Sequence, residues 1–481
     1  MKKKKIKFIA LTIFIVFVFI TTYVFISTSL GNKNSGLAQN LKKLVPIEIK
    51  KFLKSNIFIV KNLKNEINFQ KNIVEIKEKQ ISEILDEVLN EKGVEISFNK
   101  NFEKKFKIND IQNFDLKKYK TNLLVHGKWH RAKGTSYLSI GDDMLLLASG
   151  SGYFAYTKLD FFEKDTINFK IINSNIKDIV TQEEFYKSSL YGIKGLLYNN
   201  NQIYISLTYE KRENCFNTSV FYANLNYTKL QFKEFFSPDE CVKKRKVDFQ
   251  PAQSGGKMII NDGKMILTIG DWRYRDLAQN KESVFGKIVE INLENKDYKI
   301  LSLGHRNPQG LSLNSKNNLL VNTEHGPNGG DEINFNKNFK KNLKNFGWPI
   351  SSYGEHYGFE KRNPNHKMYK KFPLYKSHSK YNFIEPTKYY VPSIAISQIV
   401  EIDSKISSDE LFYVVGALGD TPEIGQMSLH FLKFNKKDFK LKSKNIVNIN
   451  ERVRDLIYFE KENFLILFLE TSASIGLLRI N

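Results

Sequence analysis

Gly304–Leu311 (GHRNPQGL), Asn322–Asn334 (NTEHGPNGGDEIN) and Asn345–Pro349 (NFGWP) form the most informative stretch of this chain. An arginine stands beside an asparagine and a glutamine (Arg306, Asn307, Gln309), Gly326 and Pro327 follow His325, and two glycines precede Asp331 and Glu332. Guanidinium and amide groups present N–H donors in fixed geometry. The density of glycine, proline and polar side chains predicts rigid loop rather than ordinary strand. Glu324, His325, Asp331 and Glu332 are expected to tie its turns through side-chain to backbone hydrogen bonds.

Working outward, short apolar runs repeat on both sides of this stretch. They are MLLLASGSGYFAYTKLD from Met144, QIYISLTYE with VFYANLN from Gln202, and KMILTIGD with GKIVEINLE from Lys264. LLVNTEHG with EINFN from Leu319, LFYVVGALGD with SLHFLKF from Leu411, and FLILFLET with GLLRI from Phe464 complete six units. Such spacing suits a four-stranded blade with its loops, and six blades close into a ring without exposed sheet edges. The expectation is an all-β, six-bladed β-propeller over residues 120–481. The fourth unit is longer, and its surplus over 336–396 is rich in aromatics and histidines, among them Tyr353, His356, Tyr357 and His378. An insertion between strands of one blade predicts a lid over one mouth of the ring.

The first 119 residues read differently. Phe8–Ile26 carries no charge and follows Lys2–Lys5 and Lys7. A run of this length can cross a bilayer with its lysines in the cytoplasm, which predicts a transmembrane helix within 1–30 and a single-pass protein of the cytoplasmic membrane. The propeller would then face the periplasm or exterior. Between them, 31–119 reads as a polar stem with an amphipathic helix, since Ile67, Val74, Ile81 and Val88 recur at one spacing before Gly93. The formal charge is +23, from 74 Lys and Arg against 51 Asp and Glu. Lysines are scattered along the whole length, and an exported chain meets no nucleic acid, so this charge does not point there. Cys215 and Cys241 are the two cysteines, and in an oxidising compartment a disulfide is expected.

The quoted motifs, with TIGD (Thr268–Asp271), Ala278-Gln279, GKIVEI (Gly286–Ile291) and Arg452-Val453-Arg454-Asp455, resemble the glucose/sorbosone dehydrogenase family over about residues 185–480. These are soluble aldose sugar dehydrogenases dependent on pyrroloquinoline quinone (PQQ), and six-bladed propellers. The resemblance implies PQQ contacts from Arg306, Asn307, Gln309, Arg452 and Arg454, and a calcium ion on the main-chain carbonyls of Gly326 and Pro327. It also implies oxidation of an aldose to its lactone, with electrons passed to a membrane acceptor.

Departures from the family pattern fall on the same site. The histidine that takes the proton from the sugar C1 hydroxyl in the family falls here on Ala252 or Gln253, and an amide has no useful basicity near neutral pH. A lysine aligns with Gly419, a tryptophan near Val391, and a glutamine near Leu190. No phosphate loop, HExxH, paired CxxC or GxSxG elbow offers other chemistry. Two functions follow: PQQ- and calcium-dependent aldose oxidation, or a catalytically silent envelope propeller that binds glycans or a protein partner.

Overall fold

The computed structural model describes residues 95–480 except 109–111, 122–133, 182–183, 186–190, 246–248, 359–360 and 403–408. The apolar run Phe8–Ile26 and the heptad pattern from Ile67 to Val88 lie outside the described residues. Among the described residues no helix is long and apolar enough to cross a membrane.

Sheet dominates, in six antiparallel units of four strands that follow the sequence repeats. Blade one runs through Ser136–Gly141, Met144–Ser149, Phe154–Lys158 and Thr166–Ser174. Blade two contains Gly192–Asn199, Gln202–Arg212, Cys215–Asn224 and Lys233–Phe236. Blade three contains Gly255–Asn261, Lys264–Ile269, Lys287–Asn292 and Tyr298–Leu303. Pro308–Asn314, Leu319–Glu324, Asp331–Lys337 and Lys388–Tyr390 make blade four, and Ile396–Glu401, Glu410–Ala417, Ser428–Asn435 and Leu441–Asn448 make blade five. Blade six joins Val453–Phe459, Phe464–Leu469 and Ser474–Ile480 to Gln112–Lys120 from the other end of the chain. The first strand of each blade touches the first strands of its two neighbours around a closed ring, the arrangement of a six-bladed propeller.

Burial explains why these segments became strands. Middle strands are covered on both faces by adjacent blades, so they read as continuous apolar runs: every residue of Phe464–Leu469 (FLILFL) is buried. Outer strands have one wet face and alternate, as in Leu441–Asn448 and Thr166–Ser174. The core is accordingly a set of clusters between consecutive blades. Phe114, Leu116, Val414, Phe431, Leu467 and Leu478 fill the gap between blades five and six, and Val321, Ile333, Ile399 and Val415 that between four and five.

Three sequence expectations change here. Residues 95–119 are not stem. Glu95–Ile108 pairs with Gln112–Lys120 on one edge and with the outer strand of blade one on the other, joining blades one and six into one sheet of ten strands. Ile96 and Phe98 are fully buried while Glu95, Ser97 and Asn99 between and beside them face water, and that polar outer face, with the exposed Glu103, Lys104 and Lys105 further on, disguised the strand. The Gly304–Pro349 stretch, expected as loop, forms three strands of blade four. Its polar side chains tolerate the sheet because they bond inside it, as described below. Part of the 336–396 surplus is sheet: Lys344–Asn345 adds to the edge of blade three and Lys388–Tyr390 completes blade four. Cys215 and Cys241 form the expected disulfide, beside a bridge between Phe216 and Val242.

Candidate functional site

The first strands of all six blades converge on a central cavity of ≈ 750 Å³. Arg306, Asn307 and Gln309 reach it from the entry to blade four, Gly326 from the turn after its second strand, and Arg452 and Arg454 from the entry to blade six. Ala252, Gln253 and Gly419 line it as well. Residues far apart in sequence meet because most sit where a blade's inner strand begins, and Gly326 and Gly419 just after a second strand. Pro327 and Val391 are not among the lining residues, and Val391 is 60% exposed. Leu190 lies outside the described residues.

Arg306 organises one wall. One guanidinium nitrogen donates to the carbonyls of His325 (2.8 Å) and Gly326 (2.7 Å), and the guanidinium lies 5.5 Å above the Trp348 ring. Its backbone N–H donates to Glu324, which also bonds the His305 ring at 2.9 Å. Asp331 accepts from the N–H groups of Gly326 and Ile396 and from the Ser393 hydroxyl, so Glu324 and Asp331 tie the loop as expected. His325 does not. It lines the cavity, and its ring Nε2 has no hydrogen-bond partner among the described residues. Burial, reinforced by Arg306, Arg454 and Arg452, pushes this imidazole down to about 3, so it is neutral.

Gln253, with Ala252 one of the two positions on which the family's histidine falls, is held at both ends of its amide. With its amide oriented by its partners, its nitrogen donates to Asp271 Oδ1 (3.1 Å) and its oxygen accepts from Arg306 (2.9 Å). Asp271 also accepts from the Trp348 indole at 2.8 Å and the Arg273 N–H at 2.8 Å. Burial raises the Asp271 carboxyl, against the pull of Arg306 and these hydrogen bonds. The TIGD aspartate, the NFGWP tryptophan and the RNPQG arginine are thus one network, with an amide at its centre.

A second wall belongs to the RVRD arginines. Both share Glu470: Arg452 Nε donates to it at 3.2 Å, and Arg454 Nε bonds its other oxygen. Burial alone would raise Glu470, but Arg454 and Arg452 hold it below the usual carboxylate range. Arg454 also donates to Gln309 (2.9 Å), linking the two motifs, and Arg452 to the Gly419 carbonyl (2.8 Å).

Motif reading misses further lining residues. Lys194, Lys257, Arg273 and Tyr357 reach the cavity, Tyr357 from the long insertion. Lys194 sits in the Gly-flanked GIKG run, an unusual lysine at a strand start that a search for inward cations could have found. In all, six cationic side chains and two carboxylates line the cavity among the described residues. That balance suits a polyanion. The histidines of the insertion are otherwise engaged: His356 bonds the Phe372 carbonyl at 2.8 Å, and His378 faces Glu332 at 3.5 Å and the Ile384 carbonyl at 3.2 Å.

A calcium ion fits less well. The Gly326 carbonyl that would hold it already accepts from Arg306, and a second cation at that oxygen would face the guanidinium charge. No cluster of three or more His, Cys, Asp or Glu capable of holding a metal occurs among the described residues.

Comparison with known proteins agrees with this architecture. Residues 193–478 match the family model "Glucose / Sorbosone dehydrogenase". Aldose sugar dehydrogenase YliI of Escherichia coli is 38% identical over 122 residues, a stretch covering 22% of this chain and 32% of that protein. The structure resembles the apo soluble aldose sugar dehydrogenase of Escherichia coli at a TM-score of 0.54 and 19% identity, covering 76% of this chain and 99% of that one. It resembles the holo PQQ domain of pyranose dehydrogenase from Coprinopsis cinerea at 0.53 and 11%, covering 79% and 98%. At these identities the structural likeness speaks to the fold, while the family match covers more than half of the sequence. With the RNPQG, EHGP and RVRD segments meeting in one cavity, the chain belongs to the glucose/sorbosone dehydrogenase family.

Proposed function

We propose that the central cavity binds PQQ and that the chain oxidises aldoses slowly, for want of a proton acceptor at Gln253. The observation that carries the first half is the excess of cations around the cavity, with Arg306 entering from blade four and Arg452 and Arg454 from blade six. PQQ has three carboxylates, and bidentate guanidinium donors are the side chains best matched to them. When bound, the quinone would accept the hydride from the sugar C1. Everything else falls to this chain. Arg306, held by two carbonyls and Gln253, would present a fixed positive charge to an oxygen of the ligand. Tyr357, half exposed at the cavity, would offer an apolar face to a sugar ring.

The second half rests on the amide of Gln253. Both its functional groups are engaged, one by Asp271 and one by Arg306, and neither form of an amide takes a proton near pH 7. The same observation favours a second reading, a propeller that holds an anionic glycan in this cavity without turnover. Titrating the protein with PQQ while following tryptophan fluorescence and dye-linked glucose oxidation separates them. Binding with slow turnover supports the first reading, and no PQQ binding the second. We propose also that Phe8–Ile26 anchors the propeller on the outer face of the cytoplasmic membrane, where a membrane carrier could receive electrons. Calcium has no part in this reading, because Arg306 occupies the carbonyl it would need.

A further inference from the structure

One lysine reaches the cavity from a place where the family resemblance assigns no role. Lys194 lies on Gly192–Asn199, the inner strand of blade two. At this point blades two and three touch backbone to backbone. A Cβ on Gly195 would sit 2.4 Å from the Gly256 carbonyl oxygen, and a Cβ on Gly256 would sit 2.4 Å from the Lys194 Cβ. Ser206 Oγ seals the contact by donating to the Gly256 carbonyl at 2.5 Å. The root of the lysine is therefore fixed against the strand that begins just after Gln253, and its side chain enters the cavity.

Its neighbours are already committed. Lys257 pairs with Asp455 at 2.7 Å, and Arg452 and Arg454 divide Glu470 between them. Lys194 makes no hydrogen bond and no ion pair among the described residues, although it lies within the field of Arg454 and Glu470. Its side chain is partly buried, and the rest of its surface faces the cavity. An ammonium group held this way costs stability unless an anion joins it.

We propose that Lys194 is the cation that receives a carboxylate of the anionic ligand, in place of the lysine that the family carries where this chain has Gly419. Gly419 lines the same cavity, but its carbonyl is taken by Arg452. The charge lost from blade five is thus replaced from blade two. Lys194 acts as a cation and not as a proton acceptor, because negative charge placed beside it favours its protonated form. This inference rests on the cavity being an anion site, and its most specific form rests on PQQ as the ligand.

The test uses the full chain in detergent and compares wild type, K194M and K194R. PQQ and its uncharged trimethyl ester are titrated by tryptophan fluorescence, with citrate as a colourless trianion measured by calorimetry. Loss of one charge-assisted contact predicts that K194M binds PQQ about ten- to a hundred-fold more weakly. K194R should restore most of that loss, and the ester should bind all three proteins alike. Equal PQQ affinity in wild type and K194M would overturn the proposal, as would equal weakening of acid and ester, which marks a structural role. If wild type binds citrate through Lys194 but not PQQ, the cofactor reading fails and the lysine's role stands. If it binds neither, both fall.

Discussion

Lys257 on blade three and Asp455 on blade six meet at 2.7 Å, 198 residues apart in sequence. These blades stand opposite in a ring of six, so the pair spans the axial channel. Asp455 also accepts the Leu138 N–H of blade one at 3.0 Å. The two side chains are 9% and 1% exposed, so either one alone would be a buried, unmatched charge. Lys257→Met is expected to cost about 3–5 kcal/mol in urea unfolding. Replacing both residues by apolar ones should recover most of it, because the cost lies in the orphaned charge. A single substitution that unfolds like wild type would show that the channel is wetter than its geometry indicates.

The disulfide between Cys215 and Cys241 closes a segment with a separation of 26 residues. Loop-closure entropy for that length predicts a loss of about 3.5 kcal/mol in the Cys215→Ser, Cys241→Ser double variant. Denaturation with and without reductant checks this. Wild type should lose stability in reductant, and the variant should not respond.

Lys194 predicts an unusual pH dependence. Burial, with Arg454 adding to it, lowers this lysine from 10.5 to about 8. Between those values the unfolded chain holds more protons than the folded one, so stability rises with pH. Below pH 8 both states are protonated and the full penalty of the buried charge remains. K194M should therefore be more stable than wild type at pH 7, with the gap closing towards pH 10.5. Chemical denaturation at the two pH values measures it, and a gap that widens with pH would mean that the lysine is stabilised in the folded state.

Much of this molecule is legible in its amino-acid sequence. Middle strands such as Phe464–Leu469 are buried on both faces, so apolar runs reveal all six repeats. Glu95–Ile108 hides because it packs one face only, and its lysines dominate the composition. In the site, Arg306 and Arg454 are readable because their motifs hold them at blade entries. Lys194, Lys257 and Arg273 are harder, since each is a lone cation whose inward direction depends on close contact between blades. His325 misleads for a related reason. Its neighbours Glu324 and Asp331 do tie turns, while His325 itself lines the cavity.

The hydrogen bond from Arg306 to the Gly326 carbonyl makes a claim about calcium. Binding to the folded state alone would raise the melting temperature by mass action. With the carbonyl occupied, the melting temperature in chelator and in added calcium should agree. A rise with calcium would mean that Arg306 gives way to the ion.

On the proposed function, this cavity holds PQQ and presents an amide where a proton acceptor is needed. Gln253→His puts an imidazole beside Asp271, whose carboxylate would hold it in place. The most direct measurement is dye-linked aldose oxidation by wild type and Q253H, each saturated with PQQ as judged by fluorescence. Turnover in Q253H is expected to be higher by about a hundred- to ten-thousand-fold, the usual worth of a general base. Rapid turnover in wild type that Q253H does not exceed would contradict it, and would place the proton acceptor elsewhere in the cavity.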